Sequence, residues 1–231
     1  MAHTHSFEEL IALALERARA AIALPEGEDE DAWEVYDETR RVLQSRASPD
    51  NWDRIAALAT HPEAIGRSLV PAVLRYFGDV RVDETVELLR RMLAVETDDT
   101  VIANIGHAFI DLHRPDAARE LMLPFYRHPS PDVRLAVVHA LEFSQHPDAL
   151  AAMIELSGDA DADVRNWATF HLGHAEPGEP SFDDPRVREA LAARLDDSHS
   201  ETRAEAVEGL ARRGDHRVLP VLKRELAGEL E

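Results

Sequence analysis

Apolar residues recur at helical spacing along most of the chain. The clearest copies set Val133, Val137, Ala140 and Leu141, then Val164, Ala168, His171 and Leu172, on the 3.6-residue stripe of a buried helix face. This period predicts helix and not strand. Each stripe opens on a related segment: Ser130-Pro131-Asp132-Val133-Arg134, Asp161-Ala162-Asp163-Val164-Arg165, and the shorter Ser200-Glu201-Thr202-Arg203. A leucine follows seven residues after each arginine, at Leu141, Leu172 and Leu210. Weaker copies pair Arg67 with Leu74 and Ile102 with Phe109, so the anchors 67, 102, 134, 165 and 203 step by 35, 32, 31 and 38 residues. That period is one helical hairpin.

Within each unit a second helix follows a short polar break. These helices are predicted at Asp116 to Tyr126, Asp148 to Leu156, Arg186 to Leu195 and Arg217 to Leu226. The breaks include Arg114-Pro115 and His146-Pro147, where proline keeps the preceding residue out of the helical region. Asp132 and Asp163 are placed to cap the first turns, and Pro131 suits a helix start. Upstream, Phe7 to Leu24 reads as an amphipathic capping helix, and residues 25–62 as a degenerate first pair with helices near Trp33 to Ser45 and Asn51 to Thr60. Regular repeats fill 63–231, interrupted by an insertion at 176–183 that accounts for the longest step. The whole chain, 1–231, reads as a single repeat domain.

The Asp-Val-Arg openings and the run from Val164 through Trp167 and His171 to Gly173 resemble HEAT repeats, in particular the short Ala-rich kind of the phycobilisome-lyase type. The resemblance covers roughly residues 64–228. It implies an all-α fold, a right-handed α-solenoid or superhelix of about six antiparallel helix pairs, with first helices outside and second helices lining a concave face. It also implies an Asp–Arg ladder between neighbouring units, whose expected members are Asp132, Arg134, Asp163, Arg165 and Arg203. Ile102 stands where the ladder needs arginine, so a rung is expected to be missing there. If partly exposed, each rung contributes only ~0–1 kcal/mol.

Charge narrows the classes of partner. Asp plus Glu number 45 against 25 Lys plus Arg, a formal net charge of −20, which repels phosphate backbones and anionic lipid. Eight of the thirteen residues from Glu26 to Glu38 are acidic, as in a solvated loop leading into a helix. Another protein, by charge a basic one, is the expected partner; nucleic acid and membrane are not. Cysteine is absent, which removes disulfides, thiol nucleophiles and Cys-based metal sites, and the chain reads as cytoplasmic.

Catalytic motifs are lacking: there is no Gly-rich phosphate loop, no Gly-x-Ser-x-Gly and no His-Glu-x-x-His. His139, Glu142 and His146 share a helical spacing, but Pro147 ends that helix, and neighbouring units at ~10 Å lie too far apart to share a metal bonded at about 2 Å. No cofactor and no metal site are expected. His171 takes a position that Ala140 and Gly209 fill elsewhere, so it is expected partly inside the helix contact, as a structural residue satisfied by a hydrogen-bond partner and not as a catalytic base. Trp167 and Phe170 fall at exposed positions, with Phe182 of the insertion expected to fold back over them. The reading is a non-catalytic scaffold or adaptor that binds a protein. An acidic inhibitor- or immunity-type partner and, by resemblance alone, a bilin-type lyase or isomerase are the alternatives. Its expected docking residues are the second-helix positions Glu87, Arg90, Arg91, Arg119, Glu120, Glu155, Arg188 and Glu189, in competition with Trp167 and Phe170.

Overall fold

The computed structural model describes residues 5–25, 30–179 and 181–227. The start of the acidic stretch, Glu26 to Asp29, and Pro180 of the insertion lie outside the described residues. Among the described residues every regular element is helical. The helices are α1 (Phe7–Ile22), α2 (Glu30–Gln44), α3 (Pro49–Ala56), α4 (Ala64–Leu74), α5 (Val82–Leu93), α6 (Asp99–Leu112), α7 (Pro115–Met122), α8 (Pro131–Leu141), α9 (Pro147–Leu156), α10 (Ala162–Gly173), α11 (Pro185–Ala192), α12 (Ser200–Arg212) and α13 (Leu219–Leu226). The chain divides into two compact units, Met1–Ala117 and Ala118–Glu231, and the division falls inside α7 with no linker to mark it.

In the first unit α1 begins with a capping box, Ser6 accepting from the Glu9 amide at 3.2 Å and Glu9 from the Ser6 amide at 2.6 Å. It packs chiefly against α2, and α2, α4 and α6 stand side by side as first helices. Leu10, Leu43, Ile55, Leu69, Leu89 and Ile105 are fully buried between them and the returning α3 and α5. Ile102 is part of this core, which is why no arginine rung starts from α6.

In the second unit α8, α10 and α12 form the first-helix layer, and α9, α11 and α13 return. The crossing of α10 and α12 is unusually close because both helices carry glycine there: a Cβ on Gly209 would lie 2.6 Å from the Gly173 Cα. Several second helices are shorter than their apolar stripes predict. Pro124 has no N–H to donate, and α7 passes into a 3-10 turn at Leu123–Phe125 instead of running to Tyr126. α11 stops at Ala192, and a 3-10 turn at His216–Val218 precedes α13.

The capping residues also differ from expectation. Asp132 and Asp163 lie within the first turns of α8 and α10, two positions too late to cap; the N-cap positions are Ser130 and Asp161, and Asp161 accepts from the amides of Asp163 and Val164. Nor are Asp132 and Asp163 the acids of the arginine ladder. Arg134 binds Asp159 through two 2.7 Å bonds, and Arg165 binds Asp197 at 3.1 and 3.0 Å. Arg67 binds Glu96 in the same forked manner at 2.7 and 3.0 Å.

Each acid sits in the loop before the next first helix, two residues before the cap. Its carboxylate also accepts from backbone, Asp159 from the Asp161 amide and Asp197 from the His199 amide. The arginine's remaining Nη1 donates to the two carbonyls of its own loop, those of Asp159 and Ala160 in the case of Arg165 and of Asp197 and Ser198 in the case of Arg203. These rungs are buried: the side chains of Arg165 and Asp197 are 11% and 5% exposed. Arg67 holds the Glu96 carboxyl down to about 2. Burial opposes ionisation of Asp159 and Asp197, yet their arginines and the loop amides keep both below the usual range.

Candidate functional site

The α10 sequence places Trp167, Phe170, His171 and His174 at i, i+3, i+4 and i+7, one stripe along a single helix face. Packing then brings neighbours to both sides. From α8, the His139 ring meets Trp167 edge-on at 4.9 Å between centroids and lies 6.1 Å from His171. Within α10, Trp167 and Phe170 meet edge-on at 5.5 Å, and the His174 ring stacks on Phe170 at 4.1 Å. From α12, Glu205 and Glu208 approach His174 at 3.7 and 3.4 Å. The result is a continuous aromatic and histidine band across three first helices, rimmed by carboxylates.

Trp167 is exposed, with 40% of its surface open. Phe170 is half-buried, because the His174 ring lies on one of its faces. The expected cover is not there. Phe182 turns instead to Arg213, whose guanidinium lies 4.9 Å over its ring and whose Nε donates to the Phe182 carbonyl at 3.0 Å.

Arg213 is a residue that sequence reading missed. It is buried, and it donates to the carbonyls of Gly173, Gly209 and Leu172 at 2.7–2.8 Å, satisfying C-terminal carbonyls of α10 and α12 that have no helical partner. The available signal was an arginine directly before Gly214, shortly after the Leu210 that closes the apolar stripe, where a cation complements a helix dipole.

His171 is buried as expected, its side chain 8% exposed. The expected hydrogen-bond partner is not found, since its Nε2 has none and its Nδ1 lies 3.8 Å from Glu142, beyond hydrogen-bond reach. Burial, then the nearby His139 and His174, push it down to about 3, so the ring is neutral at pH 7 and the Glu142 contact is not an ion pair. Burial also raises the Glu142 carboxyl. His146, by contrast, does not join His139 and Glu142. It caps α9, with its Nδ1 accepting from the Asp148 amide at 3.2 Å.

The second-helix positions are placed as follows. In the first unit Glu87 and Arg90 of α5 pair with each other at 3.4 Å, and Arg91 is exposed. In the second unit Glu155 pairs with Arg127 at 2.6 Å and Glu189 with Arg217 at 2.8 Å. Glu120 is exposed, whereas Arg119 and Arg188 are half-buried, and Arg188 donates to the Arg213 carbonyl at 3.0 Å. Several of these charges are therefore engaged within the chain.

Tandem helix pairs joined by repeated arginine rungs define an all-α repeat protein of the solenoid class. The chain belongs to the HEAT-repeat family, whose sequence pattern matches residues 105–173 and 155–229, together more than half of its length. It is 35% identical over 97 residues, 42% of its own length, to Protein YibA of Escherichia coli K12, and an O157:H7 counterpart matches equally. That match spans only 33% of the YibA sequence. The crystal structure of YibA from E. coli superposes with a TM-score of 0.73 at 23% identity, covering 98% of this chain and 82% of that one, and shows a shared fold. An engineered protein is similar at a TM-score of 0.51 and 14% identity, covering 94% and 98% of the two chains. No helix among the described residues is long and apolar enough to cross a membrane.

Proposed function

We propose that this chain is a non-catalytic protein-interaction module that docks its partner on the first-helix face of its second unit, with Trp167 as the anchor. The observation that carries this reading is the open Trp167 at the centre of an ordered aromatic band. A large exposed ring held by neighbours loses little conformational freedom on binding and can dominate an interface once desolvated. The HEAT family supports the class, because stacked repeats leave long ordered faces whose general use is binding. The rim of Glu142, Glu205 and Glu208, within a chain of net charge −20, favours a partner that sets basic residues around an apolar contact.

The test compares Trp167→Ala with Arg91→Glu, which changes an exposed second-helix charge. Each immobilised variant is exposed to native lysate, and the captured proteins are identified by mass spectrometry. Loss of the wild-type partner from Trp167→Ala alone, with circular dichroism unchanged, is the expected result. Loss from Arg91→Glu alone would refute the first-helix face and restore the second-helix docking surface.

A further inference from the structure

We propose that His174, Glu205 and Glu208 form a binding site for a divalent transition-metal ion of the Zn2+ class. One ligand atom from each lies within 4.8 Å of the others. The ligands come from two neighbouring repeats, His174 from the end of α10 and the two glutamates from one face of α12 at i, i+3. Ordinary helix spacing of 8–10 Å would keep such groups apart. The Gly173–Gly209 crossing removes that gap one residue away from His174 and one from Glu208.

The hydrogen bonding at His174 is arranged as a metal ligand requires. Its Nδ1 lies 3.0 Å from the Phe170 carbonyl, an acceptor only, so Nδ1 carries the proton and donates it there. In the neutral ring Nε2 then holds a lone pair, and it faces Glu208 Oε1 at 3.4 Å. Two acceptors cannot satisfy each other; a cation between them can. A carbonyl accepting from the far nitrogen is the usual way a metal-bound imidazole is oriented, and Phe170 stacked at 4.1 Å fixes the ring plane. Glu205 supplies an independent sign. Its Oε2 has no hydrogen-bond partner and lies 3.7 Å from His174 Nδ1, beyond hydrogen-bond reach, on a side chain that is 24% exposed. One imidazole and two carboxylates suit zinc or manganese better than a soft, thiolate-seeking ion. The competing account is a doubly protonated His174 paired with the two glutamates, without metal.

The test uses the full chain, stripped with chelator and titrated with Zn2+ by isothermal calorimetry at pH 7.5. One site per chain is expected, weakened at least tenfold by His174→Ala and by Glu208→Gln. Cobalt substitution should give visible d–d absorption of a low-coordinate nitrogen and oxygen site. Glu208 is exposed, so Glu208→Gln should leave the fold intact, and circular dichroism checks this. The double substitution His3→Ala with His5→Ala removes the other closely spaced histidines and should leave the site unchanged. Absence of binding at millimolar Zn2+, or binding lost in that double variant and retained in His174→Ala, overturns the proposal.

Discussion

Removing Arg165 should cost far more than a surface ion pair. Arg165→Ala deletes two bonds to Asp197 and two to the carbonyls of Asp159 and Ala160, and leaves a 5%-exposed carboxylate with only the His199 amide at 3.0 Å and Arg194 at a longer 3.3 Å. Breaking a buried pair by removing one partner typically costs ~3–5 kcal/mol. At about 2–4 °C per kcal/mol for a chain of this size, Tm should fall by about 6–20 °C. The matched control is Arg127→Ala. Its fork to Glu155 is at least as short, at 2.6 and 2.7 Å, but those side chains are 69% and 47% exposed. That loss should be ~0–1 kcal/mol.

Thermal melts followed at 222 nm measure both, and Arg165→Met combined with Asp197→Leu should regain most of the loss, since apolar packing replaces a buried pair well. A pH signature accompanies the effect. The folded-state value of Asp197 is lowered, so its contribution is fully present above the unfolded carboxylate range near 4 and fades as pH falls through the folded value. The gap between wild type and Arg165→Ala should therefore close in acid. Equal shifts for Arg165→Ala and Arg127→Ala would refute the argument that burial, and not geometry, sets the strength of these rungs.

His171 also makes folding acid-sensitive. Its folded value near 3 lies below the unfolded value of 6.5, so the unfolded chain takes up the proton first and stability declines as pH drops below 6.5. His171→Leu should flatten that part of a stability-versus-pH curve and leave Tm at pH 8 unchanged or higher; an unaltered curve would show that another group is responsible. Arg213→Lys should destabilise by ~2–4 kcal/mol, since one ammonium cannot reach four carbonyls with fork geometry. Chemical denaturation measures it, and a change below ~1 kcal/mol would mean that water replaces the lost donors.

Local periodicity sufficed for the helices and their pairing. Val133 to Leu141 and Val164 to Leu172 announce buried faces because a helix repeats every 3.6 residues whatever it packs against. The special character of position 171 was legible too, since a histidine in a slot sized for Ala or Gly must be buried. The capping register was off by two residues, because an Asp in the first turn and an Asp at the cap look alike in sequence, and only backbone angles separate them. The rungs themselves were misassigned to Asp132 and Asp163 for a related reason: their true acids, Glu96, Asp159 and Asp197, lie in loops 25 to 32 residues from their arginines. No helical period reaches across that distance. Whether Phe182 covers Trp167 depended on a competing demand, the unsatisfied carbonyls at the ends of α10 and α12, which recruit Arg213 and draw Phe182 with it. The meeting of His174 with Glu205 and Glu208 was equally invisible from spacing. It depends on two glycines from different repeats facing each other, and the absence of a side chain on one acts only where the fold places the other against it.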